Sequence, residues 1–172
     1  YRNGVESTTG SQVNSGVLRV GSLGNYPTGT LPIDGTLDEV GILGGTEATL
    51  TQIADLYNSG NGANFTTVMG SSDLNYHLDE SGTATTAVDS SGNGNDGTLN
   101  NFPASGMWVP HTPAFAFGNA LQFDGINDYV SIPSTATEPF QASARTFTLS
   151  MWINRDSTGY DPLITKYGTT SA

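Results

Sequence analysis

The residues best equipped for chemistry in this sequence are carboxylates and amides set in glycine-rich turns. Asp89, Asn93, Asn95 and Asp96 fall within the run Asp89-Ser90-Ser91-Gly92-Asn93-Gly94-Asn95-Asp96-Gly97. Loops that converge several carboxylate and carbonyl oxygens hold calcium, a hard cation that prefers oxygen ligands. The spacing is not that of an EF-hand. Ser91 occupies the third position from Asp89, and Asn100 stands where a bidentate Glu is needed. The same residue types are also the ordinary residues of tight turns. A second cluster, Asp124-Gly125-Ile126-Asn127-Asp128-Tyr129, reads as an Asx-rich hairpin that satisfies its own backbone. Its alternative reading is a ligand loop on a rim, with Asn127 and Asp128 offering polar contacts to a sugar.

Aromatic rings stack on the C–H faces of sugars, and Trp offers the largest platform. Trp152 lies on the polar face of a predicted strand, and Tyr160 and Tyr167 follow in an irregular stretch. These are the candidate sugar contacts. The structural alternative is that a loop or further strands cover Trp152. Trp108, near Pro103, Pro110 and Pro113, reads as a loop anchor.

No catalytic constellation stands out, and the chain is expected not to be an enzyme. Asp38-Glu39 and Asp79-Glu80 are sequence neighbours, so in strands their side chains diverge. His77 and His111, without cysteine, make a poor zinc site. There is no G-x-S-x-G elbow and no Walker A motif. Residues 92–97 match G-x-G-x-x-G, but no helix follows and Asp96 would repel a pyrophosphate. Asn64-Phe65-Thr66 is a glycosylation sequon by spacing, a pattern frequent by chance.

The elements that must position these groups are mostly strands. Turn signals recur at Asn3-Gly4, Asp34-Gly35, Gly92-Asn93-Gly94 and Asp124-Gly125, with short apolar runs between them. This is the pattern of an all-β sandwich or barrel. Strands are expected at residues 17–20, 37–43, 74–78, 120–123, 129–132 and 147–153. In the last, Phe147, Leu149, Met151 and Ile153 alternate with Thr148, Ser150, Trp152 and Asn154. The apolar set is expected to face the core. One helix is predicted: Thr49 and Gln52 form a capping box ahead of the stripe Leu50, Ile53, Ala54, Leu56 and Tyr57. A run rich in Gly, Asn and Ser from Ser59 to Ser72 reads as a linker.

Sixteen acidic residues against five basic ones give a formal charge of -11. That balance disfavours nucleic acid and anionic lipid as partners. No cysteine is present, so disulfides and thiolate metal sites are excluded. The Gly, Thr, Ser and Asn content with a single lysine, Lys166, fits a secreted or cell-surface protein. No signal peptide or apolar membrane-spanning stretch is evident. Tyr1 opens directly on turn-like sequence, so the natural protein is expected to begin further upstream.

Several segments carry a resemblance. Ile33-Asp34-Gly35-Thr36-Leu37-Asp38-Glu39-Val40-Gly41-Ile42, followed by Leu50 to Asn58, resembles the end of a laminin-G-like, concanavalin A-like jelly roll. Leu74-Asn75-Tyr76-His77-Leu78-Asp79-Glu80 resembles the start of the same family, continued by Asp89 to Leu99, Ala120 to Val130 and Phe147 to Ile153. The implied fold is an antiparallel two-sheet jelly-roll sandwich with one short helix, partial or permuted. Residues 1–60 resemble the back of one repeat, 61–72 a linker, and 73–172 the front of the next. Three arrangements fit: a window cut from a tandem array, a circularly permuted domain, or a subunit whose halves complete sandwiches with neighbouring copies. Within one chain, the strands at 37–43 and 74–78 are expected to pair. The resemblance also implies calcium where first and last strands meet, which adds Asp38 and Asp79 to Asp89 and Asn93 as expected ligands. The Glu-x-Asp-x-x-Glu strand of the family's glycosidases is absent. Two function classes follow: a non-catalytic structural or adhesive repeat that assembles with copies of itself, and a calcium-dependent glycan-binding module.

Overall fold

The computed structural model describes residues 1–6, 20–25, 31–111, 118–133, 146–156 and 162–165. The chain is mostly strand, in two antiparallel sheets, as expected for an all-β protein. In chain order the strands are β1 (Ser22–Leu23), β2 (Asp34–Gly44), β3 (Leu74–Tyr76), β4 (Thr86–Ala87), β5 (Gly97–Asn100), β6 (Trp108–Pro110), β7 (Asn119–Asp124), β8 (Tyr129–Ser131), β9 (Phe147–Arg155) and β10 (Ile164–Thr165). One sheet runs β10-β1-β8-β5-β4. The other is organised around β2.

Along one side of β2 lies β9, paired from Gly35–Arg155 to Gly44–Phe147. The opposite side is shared by two strands placed end to end. β7 takes Asp34 to Leu37, and β3 takes Val40 to Ile42, in the pairing expected between 37–43 and 74–78. The sheet therefore forks at Asp38-Glu39. The β2–β9 register slips at the same place, between Asp38 and Gly41. Glu39 sits in this bulge with φ 48. A left-handed backbone costs an L-residue roughly 1–2 kcal/mol, so the neighbours must compensate.

Burial explains why β2 is central. Leu37, Val40 and Ile42 are fully buried on the inner face, against Leu23, Tyr76, Leu121 and Phe123. The outer face is covered by two helices, α1 (Leu50–Tyr57) and α2 (Phe65–Met69). Leu43, Leu56, Phe65 and Met69 form a second apolar cluster there. Gly41 leaves room for Phe65: a Cβ on Gly41 would lie 2.1 Å from that ring. Thr49 and Gln52 make the predicted capping box.

The structure corrects the sequence reading at several places. The expected linker contains α2, capped by Asn64, whose Oδ1 accepts from Thr67 N at 2.9 Å. Trp108 belongs to β6, and its Nε1 donates to the Ala84 carbonyl at 2.9 Å. The strand expected at 74–78 stops at Tyr76. Residues 17–19 of the expected strand at 17–20 lie outside the described residues. The alternation in β9 is present, but its apolar set does not face a filled core. Phe147, Leu149 and Ile153 are 40 %, 39 % and 37 % exposed, and of the apolar set Met151 packs against the core. By contrast Thr148 is buried, donating to the Thr46 carbonyl and accepting from Ala48 N. The reason is topological: β9 pairs with β2 on one side and, among the described residues, with no strand on the other.

Candidate functional site

The fork at Asp38-Glu39 gathers the densest chemistry. β2 supplies both carboxylates. The turn after β3 supplies His77, Asp79 and Glu80, and the end of β6 leads directly to His111. Glu39 is 3 % exposed and accepts from His77 Nδ1 at 2.9 and 3.1 Å. His77 Nε2 meets the side-chain amides of Asn64 at 3.2 Å and Asn75 at 3.5 Å. Asp38, 2 % exposed, is hydrogen-bonded through Oδ2 to His111 Nδ1. Asp79 is exposed, and its Oδ1 accepts from Asn119 N at 2.9 Å. Glu80 Oε1 accepts from Val88 N at 2.8 Å.

Backbone strain concentrates here too. Among the described residues, six non-glycine residues have positive φ; four are Asn or Ser, which accept that region in turns. The other two are Glu39 and Leu78, at φ 48 and 60, and both lie at the fork. Gly118 closes the site, since a Cβ on it would lie 2.2 Å from Asp79 Oδ1.

The charges follow from burial. Loss of water, then the neighbouring Glu39 and Asp79, push Asp38 up to about 9. The hydrogen bond to Glu39 holds His77 above its usual range, against the opposing effect of burial. Burial lowers His111, opposed by Glu39 and Asp79. The Asp38–His111 couple thus carries one proton between a carboxyl and an imidazole. Each histidine faces a carboxylate of β2. Such couples hold strands in register and store protons. Among the described residues, no three His, Asp or Glu side chains form a group that could hold a metal ion.

The expected calcium ligands are divided between two places. Asp38 and Asp79 share the fork. Asp89 is bridged to Tyr76, on the side of β3 away from β2, roughly 10 Å from β2 by two strand spacings. Its carboxylate is already filled: it accepts from Asn75 N, Ser91 N, Ser91 Oγ and Asn95 N. Asn93 donates from Nδ2 to the carbonyls of Ser72 and Asp73. As placed, these four do not form one cation site, and the Asp89 loop is a carboxylate-centred turn. Tyr76 depends on that turn as well. Its hydroxyl donates to the Asn95 carbonyl at 2.5 Å, and burial beside Asp89 and Asp96 pushes its ionisation far up.

Trp152 stands directly opposite Asp38 across the β2–β9 pair. It is half-buried, stacked on Tyr57 with ring centroids 6.1 Å apart and planes at 21°. Tyr57 in turn receives the N-terminal turn: a Cβ on Gly4 would lie 2.9 Å from its ring. Asn127 is exposed at the β7–β8 turn, while Asp128 is buried, its Oδ2 accepting from Asp124 N at 3.1 Å. Tyr160 and Tyr167 lie outside the described residues. The sequence names Glu39, His77 and His111 but does not pair Glu39 with His77 or Asp38 with His111. Separations of 38 residues for Glu39–His77 and 73 for Asp38–His111 leave no local signal.

No protein-family model matches the chain, and no curated protein or solved structure matches it either.

Proposed function

We propose that the chain is an extracellular, non-catalytic structural or adhesive module, completed by a strand that a neighbouring copy or repeat adds to the side of β9 away from β2. The observation that carries this reading is β9 itself. It is nine residues long, pairs with β2 alone among the described residues, and carries Phe147, Leu149 and Ile153 at least 37 % exposed. An unpaired edge with apolar side chains is a template for another strand. The motif order supports the same reading. Segments resembling the end of a laminin-G-like jelly roll precede segments resembling its start; the two sets pair within the chain through β2, so a neighbouring copy would add beside β9, on its side away from β2. The state of the fork is compatible with a non-catalytic role, because Asp38 and Glu39 are buried and each is tied to a histidine. Light scattering on eluting protein tests it. Mass should rise above the 17.9 kDa of one chain with concentration, and Leu149→Lys should return it to the monomer. A wild type that stays monomeric at every concentration refutes the reading.

A second reading is a calcium-dependent glycan-binding module, possible for either a free or an enzyme-attached domain. It is favoured by the placing of Trp152 directly opposite Asp38, with Asp79 in the same electrostatic neighbourhood. An aromatic platform beside carboxylates is how proteins grip sugars. A glycan array in calcium and again in EDTA separates the two. Selective binding by monomer that Trp152→Ala abolishes supports the second.

A further inference from the structure

Three carboxylates, Asp34, Asp124 and Asp128, gather at the corner between β7 and β8. Asp34 of β2 stands directly opposite Asp124 of β7 in the antiparallel register. Like charges so placed have Cβ atoms about 5 Å apart and repel. Asp34 also overlies the turn, for a Cβ on Gly125 would stand 3.1 Å from its carboxyl carbon. The third carboxylate, Asp128, is 1 % exposed. Its Oδ2 accepts from Asp124 N, but its Oδ1 is buried with no hydrogen-bond partner among the described residues. The Asp124 carboxyl stands beside it, its own Oδ1 accepting from Ile126 N at 2.8 Å.

Among the described residues, further neighbours come from β9 and from the turn after β5. From β9 come Arg155, opposite Gly35, and Asp156, whose N–H donates to the Asp34 carbonyl at 2.9 Å. From the turn after β5 comes Asn101, an uncharged contact whose Nδ2 donates to the Asn127 carbonyl at 2.9 Å. Among the described residues, the charge that raises Asp128, after burial, is that of Asp124. Two carboxylates in contact do not both ionise readily. One keeps a proton and donates it to the other.

We propose that Asp124 and Asp128 share one proton, and that this proton clasps the corner joining the two sheets. β7 belongs to one sheet and β8 to the other, so the corner is a hinge point between layers. Gly125 N also donates to the Ile33 carbonyl at 3.1 Å, which ties the corner to the entry of β2. Burial, and then Asp124, raise Asp128 from 3.8 to about 6. The sign follows. A carboxyl raised by folding costs nothing while protonated in both states, below 3.8. The cost sets in above that value and is complete above about 6. The clasp is closed in mild acid and slackened at neutral pH.

The test is a carboxyl-carbon NMR titration of the wild type and of Asp124→Asn, with melting curves of Asp128→Asn beside them. Asn at 128 imitates the protonated form, its amide N–H donating where the carboxylic proton would. Asp128 should titrate near 6 in the wild type, and at least about one pH unit lower in Asp124→Asn. Asp128→Asn should melt higher than wild type, by a margin that widens from pH 4 to 7. An Asp128 midpoint near 3.8 overturns the proposal, as does a midpoint unmoved by Asp124→Asn or a margin that is flat with pH. So does a wild-type melting point that rises at neutral pH with calcium while the Asp128 midpoint stays near 3.8. If Asp128→Asn fails to fold, the NMR comparison of wild type and Asp124→Asn decides alone.

Discussion

Glu39 occupies a left-handed bulge position at φ 48, and its carboxylate accepts the Nδ1–H of His77 at 2.9 Å. The strained residue and its partner meet where β3 ends and β7 begins, so one side-chain bond ties β2 to the turn that leaves β3. Removing the imidazole leaves Glu39 buried without its counter-charge. His77→Ala should therefore lose roughly 3 kcal/mol in chemical denaturation, whereas an exposed ion pair would cost under about 1 kcal/mol.

The same pair has a pH signature. His77 is raised in the folded state above its ordinary value of 6.5. Its contribution is complete below 6.5 and is lost as pH rises through the raised value. The stability difference between wild type and His77→Gln should shrink over that rise. A difference constant from pH 5 to 9 would show that His77 does not act as a cation.

α2 makes a steric prediction. A methyl group on Gly41 has no space beneath Phe65. Gly41→Ala should cost about 2 kcal/mol, and Gly41→Ala combined with Phe65→Leu should recover part of the loss. Equal melting points for wild type and Gly41→Ala would mean that α2 does not pack on the sheet.

Trp152 and Tyr57 stack, so the ring is already engaged. Tyr57→Ala should shift the Trp152 fluorescence to longer wavelength, measured in a Trp108→Phe background. Trp152→Ala should cost roughly 2 kcal/mol, less than a fully buried aromatic. No cost, with loss of glycan binding, would favour the sugar platform instead.

What the sequence made legible was local. The Thr49–Gln52 capping box spans three residues and formed as read. The strands at 37–43, 120–123 and 129–132 were visible as short apolar runs between turn signals, and that at 147–153 by its alternation, neither of which needs a partner. α2 was not: five residues, Phe65–Met69, are too few to show a helical period, and Thr66, Thr67 and Val68 are β-branched. Its helix is fixed by the Asn64 cap and by burying Phe65 and Met69. The direction of β9 was also hidden. Alternation tells which residues share a face, and only the opposing sheet decides whether that face is covered. The fork was hidden because the β2 bulge sends Asp38 to His111 and Glu39 to His77, contacts that exist only once β3, β6 and β7 are in place.

Hydrogen exchange in β9 at rising protein concentration shows whether a neighbouring strand adds to its side away from β2. In an antiparallel pair, alternate amides bond to β2 and the others point away. The outward amides of residues 147–151 should exchange freely in dilute protein and gain protection as concentration rises, with the inward set protected throughout. An outward set already protected in dilute protein, or unprotected at every concentration, would contradict the account.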